Sequence, residues 1–318
     1  MTGHEAGVQP AGAAVPWATR AAAFWRFTRP HTVIGTAASI AGLYLICVDA
    51  LPAVGFADGL GDLAWTLLAG FCVNVYIVGV NQLEDVAIDR VNKPFLPLAS
   101  GAMTIAAARR IVALCGVVPI VLAVTQGWVE TLAVLAGLAV GTAYSVPPLR
   151  LKRSPVVASL SITAVRSVVV NLGVALHFTR SLGEASWSVP EAVWALTLFV
   201  LPFSFAIAIL KDVPDAEGDR RFRIATFTLR LGAGRVLQIG LAALTLAYLG
   251  MALAGPLVLD SAQPAVLAAT HLAALGALWV MSARTDPRDT ASFTTFYMRV
   301  WKLFFLEYAL VPLAVLLG

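Results

Sequence analysis

Apolar residues along this chain gather into nine long runs, at 33–48, 63–80, 108–126, 129–146, 156–178, 191–210, 236–255, 265–283 and 301–317. A helix needs about 20 predominantly apolar residues to cross the hydrocarbon core of a bilayer, so each run is long enough to be a span. The pattern predicts an all-α integral membrane protein with nine transmembrane helices. Residues 1–28 hold no apolar core of signal-peptide length and read as a loosely ordered tail ahead of a membrane domain over 29–318.

Composition removes the main alternatives. Hydrophobic residues make up 59% of the 318 and charged residues 13%, against about 45–50% and 25% in a soluble domain. With a mean hydropathy of +0.83, the chain is neither a water-soluble enzyme nor a disordered polymer, which would be polar and charged. The formal net charge of +4 matters less than its distribution. With nine spans, all but two of the 22 Lys and Arg fall on one side. The exceptions are Arg180, in an opposite joint, and Arg166, inside a span. The excess of basic residues on cytoplasmic loops then places the N-terminus and the polar joints in the cytoplasm and the C-terminus outside, as for a multi-pass protein of the cell inner membrane. This distribution accounts for the basic charge without a nucleic-acid partner. Cys47, Cys72 and Cys115 lie within runs, without metal spacing, and read as inert thiols.

Two of the cytoplasmic joints carry acids at the same spacing. Asn81, Asp85 and Asp89 leave the second run, and Asp212, Asp215 and Asp219 leave the sixth, each set followed by basic residues. Residues four apart share one helix face at about 5–6 Å, and two carboxylates that close repel unless a cation lies between them. Magnesium takes oxygen ligands and completes its shell with water and substrate phosphates. Two facing carboxylate pairs therefore suit a magnesium-bound diphosphate, with Lys93, Arg150, Lys152, Arg153 and Lys211 as further countercharge.

The segments NQLEDVAIDRVNKPFLPLASG (81–101) and KDVPDAEGDRRFRIATFTLRLG (211–232) resemble the two aspartate-rich motifs of the UbiA superfamily of intramembrane prenyltransferases. Within it the chain is most similar to the homogentisate prenyltransferases, through FTRPHTVIGT at 27–36, YSVPPLRLKRSP at 144–155, VRSVVVNLGV at 165–174 and FYMRVWKLFFLEYALVP at 296–312. The resemblance implies one bundle around a central cavity capped on the cytoplasmic side. It implies two Mg2+ ions: Asn81, Asp85 and Asp89 at one, Asp215 and Asp219 at the other, Asp212 nearby. Lys93, Lys152 and Arg153 would bind the diphosphate and Arg29 would face the same mouth. Glu84, Ala87 and Arg223 depart from the family pattern beside that mouth, which bears on the acceptor more than on the reaction.

The chemistry expected is ionisation of an allylic prenyl diphosphate in an apolar cavity, then alkylation of an electron-rich aromatic ring. Tyr76, Tyr144, Phe203 and Phe205 are candidates to face the cation. A terpene cyclase of the same fold would ionise the same diphosphate without an acceptor, and a transporter would place its acids nearer the midplane. Among the intramembrane polar residues, Arg166 and Glu307 are expected to pair. Asn171 is expected to line the cavity, and His177 and His271 to sit at the interface.

Overall fold

The computed structural model describes residues 16–183 and 187–318, so residues 1–15 of the expected tail lie outside the described residues. The described residues are helical, with no strand among them. In chain order the helices are α1 (Trp17–Phe27), α2 (Pro30–Asp49), α3 (Leu60–Glu84), α4 (Val86–Asn92), α5 (Ile105–Gln126), α6 (Trp128–Ser145), α7 (Pro155–Thr163) and α8 (Val170–Leu182). There follow α9 (Glu191–Leu210), α10 (Ala216–Arg221), α11 (Phe227–Leu231), α12 (Ala233–Leu253), α13 (Gly255–Val258), α14 (Pro264–Ala283) and α15 (Thr290–Leu316). A π-helical turn over Ala164–Val169 joins α7 and α8 into one long rod, Pro155–Leu182.

Eight helices are long and apolar enough to cross a membrane: α2, α3, α5, α6, the α7–α8 rod, α9, α12 and α14. Each covers one of the first eight apolar runs. The ninth run lies in α15, which starts eleven residues earlier than the run and carries Arg299, Lys302 and Glu307. Residues 17–27, expected in the tail, form helix α1, which packs lightly on α3.

Helix ends are set by local chemistry. Pro30, Pro155 and Pro264 stand at first-turn positions, where the missing N–H costs nothing. Thr104 caps α5 by accepting from Ala107 N at 3.1 Å, and Asp289 caps α15 by accepting from Ala291 N and Ser292 N, both at 3.1 Å.

Six rods, α2, α3, α6, α7–α8, α9 and α15, close a ring around one cavity of about 780 Å³. Helices α5, α12 and α14 contribute nothing to its described lining and pack against the ring from outside. In this ring α2 and α15 come close at backbone level. A Cβ on Gly42 would lie 2.5 Å from the carbonyl oxygen of Tyr308, so only glycine allows that approach. On the side opposite the cavity, Phe199, Phe203, Tyr248 and His271 form an aromatic core. Phe203 belongs to this core and lies outside the cavity wall, as do Tyr76 and Phe205.

The expected Arg166–Glu307 pair does not form. Glu307 Oε1 lies 3.0 Å from His271 Nε2, with both side chains fully buried. The guanidinium of Arg166 instead lies over the rings of Trp301 and Phe304, 4.7 and 5.4 Å from their centroids. The two charges lie on different sides of α15, and a neighbouring histidine partners the acid. His271 is therefore a core residue and not an interfacial one. His177 is buried too, with Nε2 3.0 Å from Glu130 Oε2. Asn171 is fully buried but lies behind the wall, where its Oδ1 accepts from the Tyr308 hydroxyl at 2.7 Å.

Candidate active site

Both acidic segments converge on one end of the cavity. The C-terminal ends of α3, α6 and α9 meet the N-terminal ends of α2, α7 and α15 there, so all six ring rods present a terminus to it. Asp85 caps the end of α3 and starts α4. The rod breaks at this residue, but Asp85 N still donates to Asn81 O at 3.0 Å and Asp89 N to Asp85 O at 2.8 Å. The four-residue spacing therefore keeps Asn81, Asp85 and Asp89 on one line across the break, and all three line the cavity. After α9, Asp212 and Asp215 lie in a turn and Asp219 in the short α10, and these also line it.

Cations interleave with the acids. Lys152 contacts Asp85 Oδ2 and Arg150 donates to Asp85 Oδ1 at 3.2 Å, both from the connection between α6 and α7. Lys93 Nζ contacts Asp215 Oδ2, joining the two acidic segments, and Lys211 donates to Asp212 Oδ1 at 2.7 Å. Arg29 Nη2 donates to Asn81 Oδ1 at 3.3 Å, and Asn81 Nδ2 donates to Asp85 Oδ2 at 2.9 Å. Arg29 and Arg150 both have left-handed backbones, with φ of 51° and 37°. Such conformations are costly for residues other than glycine and persist where the surroundings hold them.

Two acids have no cation against them. Asp89 and Asp219 are buried, and among the described residues neither carboxylate makes an ion pair or side-chain hydrogen bond. Burial raises Asp89 to about 6, opposed by Arg29 and Lys93. Burial, reinforced by Asp212 and Asp215, raises Asp219 to about 7. Burial likewise lowers Lys152, against the pull of Asp85. Among the described residues no three acidic, histidine or cysteine side chains converge enough to hold an ion alone. Magnesium does not require that, since it uses one or two carboxylates together with water and phosphate oxygens. The hard oxygen donors of two segments around one cavity mouth fit such an ion.

Asn92 was not singled out by spacing, yet it ties the segments together. Its Oδ1 accepts from Gly218 N at 2.7 Å, and a Cβ on Gly218 would run into its side chain. Arg153, by contrast, is exposed and outside the lining. Glu84, Ala87 and Arg223 are exposed as well and do not line the cavity, so these departures do not reshape it. Arg223 has φ of 56°, a left-handed backbone that glycine would adopt at less cost.

Below the mouth the wall becomes apolar, with Ile40, Val73, Ile77, Val134 and Val140 among its residues. Aromatic rings from His31, Tyr144, Tyr297, Trp301 and Phe304 stand along it, of which only Tyr144 was expected. The far end holds Thr66, Glu130 and His177, with the Thr66 hydroxyl 3.2 Å from Glu130 Oε2. From Asn81 to Thr66 along α3 is about 22 Å at 1.5 Å per residue.

A charged mouth over a long apolar cavity suits a molecule with a diphosphate head and a hydrocarbon tail. Residues 32–303 match the model of the UbiA prenyltransferase family. The chain belongs to this family. Among UbiA relatives, it is 47% identical to a homogentisate phytyltransferase of Synechocystis, over 92% of this chain and 95% of that protein. It is 37% identical to the chloroplastic homogentisate solanesyltransferase of Arabidopsis thaliana, covering 91% and 76% of the two chains. A UbiA homologue from Archaeoglobus fulgidus, solved with GPP and Mg2+, shares the fold with a TM-score of 0.62 at 18% identity, covering 91% and 99%. The chain is thus a UbiA-family prenyltransferase, an integral multi-pass membrane protein.

Proposed function

We propose that the chain transfers a prenyl group from an allylic prenyl diphosphate to a phenolic acceptor of the homogentisate class, with divalent metal at two positions. The observation that carries this reading is the single mouth where six oxygen-donor residues and the cations Arg29, Lys93, Arg150, Lys152 and Lys211 surround the entrance to an apolar cavity. The names of the relatives favour transfer over cyclisation, since those quoted are named for a prenyl group given to homogentisate.

Asn81, Asp85 and Asp89 would hold one Mg2+ and Asp215 and Asp219, with Asp212 beside them, the other. Bound there, the metal supplies Lewis-acid stabilisation of the departing pyrophosphate. The lysines and arginines that now rest on Asp85, Asp212 and Asp215 are placed to turn to the diphosphate oxygens, where their positive charge favours the leaving group. The allylic C–O bond breaks with its electron pair going to pyrophosphate. The apolar wall keeps water from the resulting cation, and the faces of Tyr144, Tyr297 and Trp301 offer it π density. A ring carbon of the acceptor then bonds to the allylic carbon, and the ring proton passes to the released pyrophosphate, which restores aromaticity.

The basic asymmetry and the family fold support a ninth crossing by α15, an N-terminus and mouth on the cytoplasmic side, and a C-terminus outside. Labelling at Ala102 and Arg288 from the cytoplasm, and at Gly183 and Gly318 from outside, tests this orientation. For the reaction, the test is pyrophosphate release with phytyl, geranylgeranyl, farnesyl or geranyl diphosphate and Mg2+, with and without homogentisate, together with extraction of lipid products. Acceptor-dependent release and a prenylated phenol are expected. Rapid formation of a cyclic terpene without an acceptor would overturn the reading.

A further inference from the structure

Arg166 is a cation without an anion. It stands in the π-helical turn Ala164–Val169, midway along the α7–α8 rod, and lines the cavity. Among the described residues it makes no ion pair and no hydrogen bond, and its Nη1 is buried and unpartnered. Its obvious counter-ion, Glu307, is taken by His271. The rings of Trp301 and Phe304 cover the guanidinium, which offsets part of its desolvation. Ring faces do not satisfy N–H groups, however, and Nη1 is left without an acceptor on a side chain that lines the cavity. A charged donor with a buried, unpartnered N–H of this kind is costly to keep unless something pairs with it.

The diphosphate site already has its cations. Each cation that touches a lining acid comes from a connection between helices, whereas Arg166 touches none of these acids and stands within a span against Trp301, which packs on His31 in the first turn of α2, just inside the mouth. The surroundings at this level are aromatic: His31 packs edge-on against Trp301 at 5.0 Å between ring centres, and Tyr297 and Phe304 complete the wall. A planar fork that binds a carboxylate through two parallel bonds, set in an aromatic recess, suits a small aromatic acid.

We propose that Arg166 binds the carboxylate of an acidic phenolic acceptor, holding the acceptor ring against the Trp301–Phe304 wall between the diphosphate mouth and the apolar tail region. This assignment rests on the transferase reading above and gives the acceptor subsite a charge requirement. It makes Arg166 a selectivity determinant: it favours acceptors that carry a carboxylate over neutral hydroquinones of the same ring.

The experiment compares homogentisate with methylhydroquinone, the same ring without the carboxylate, in the wild-type chain, R166K and R166Q. In R166Q the ratio of kcat/KM for homogentisate to that for methylhydroquinone should fall at least thirtyfold. The KM for homogentisate should rise by tenfold or more, with a smaller change in the KM for the prenyl diphosphate. R166K, which keeps the charge and loses the fork, should fall between. A further arm needs no variant: 4-hydroxyphenylacetate should compete with homogentisate in the wild-type chain at least tenfold better than its methyl ester. An unchanged acceptor ratio in R166Q, or equal competition by acid and ester, overturns the inference while leaving prenyl transfer intact. A wild-type chain that prenylates neither acceptor overturns the transferase reading itself.

Discussion

The two acidic segments share a spacing, yet they obtain their countercharge in different ways. The first continues α3 almost without interruption, and its Asp85 takes two cations, Arg150 and Lys152, from the connection between α6 and α7. The second follows the end of α9 as a turn and a short helix. Its Asp215 takes Lys93 from the first segment, and its Asp212 is held by its own neighbour Lys211. The first segment thus receives cations from elsewhere and lends one to the second. Asp89 and Asp219 alone are equivalent in the two: buried, without a cation, and raised by burial toward neutrality. Neither segment is complete by itself, and the site behaves as one device made of two unlike parts.

If that is right, the largest losses come from either part equally. Asp85→Ala and Asp215→Ala should each lower kcat/KM by more than about 100-fold, the scale for removing a key electrostatic group from a site. Steady-state assays at saturating Mg2+ check this, and a tenfold difference between the two variants would break the equivalence. A second outcome concerns protons. Asp89 near 6 and Asp219 near 7 bind protons in the metal-free protein, and ligands must shed them to take metal. The Mg2+ concentration for half-maximal activity should therefore rise by about tenfold or more as pH falls from 8 to 6. A flat Mg2+ requirement over that range would mean these two carboxylates do not take the ion.

Smaller effects sharpen the picture. Asn92→Ala removes the acceptor that Gly218 N–H uses to tie the segments and leaves a buried donor unpaired. A cost of about 1–3 kcal/mol is typical for such a group. A five- to tenfold loss of activity, in a protein that still extracts as a folded species, is expected. The smallest change is at the outer end of the second segment. Arg223→Gly relieves a left-handed backbone, worth about 1 kcal/mol, and should raise the melting temperature slightly with activity within twofold. A large loss of activity there would show that the exposed arginine touches substrate.

The membrane rods were legible because length and apolarity are one-dimensional properties of a sequence. The same holds for the acids, whose four-residue spacing survives the break at Asp85. What depends on the angle of a side chain around its rod was not legible. Arg166 and Glu307 are opposite charges in apolar segments, and pairing them ignores which way each one points. A π-helical turn inserts about one extra residue per turn and shifts that angle locally, so Arg166 faces the cavity. Glu307 faces His271 on α14, a residue with no motif to mark it. Asn92 was missed because its partner is a backbone N–H, which leaves no trace in residue type. Trp301 and Tyr297 looked like ordinary aromatics of an apolar run until the ring of helices placed them on its inner wall.

Three of the long helices, α5, α12 and α14, never reach the cavity. All three brace the ring; α12 is half buried, while α5 and α14 turn much of their surface outward, with only 22% of the best window of each buried. Chemistry and upkeep are thereby assigned to different stretches of the chain. Selection on the substrate acts on six rods, while the outward faces of α5 and α14 answer mainly to the lipid around them. A host with a thicker or more fluid membrane could be accommodated by exchanging Leu, Val and Ile along α5 and α14, with no residue of the reaction chamber altered. The enzyme can in this sense change its solvent without changing its substrate.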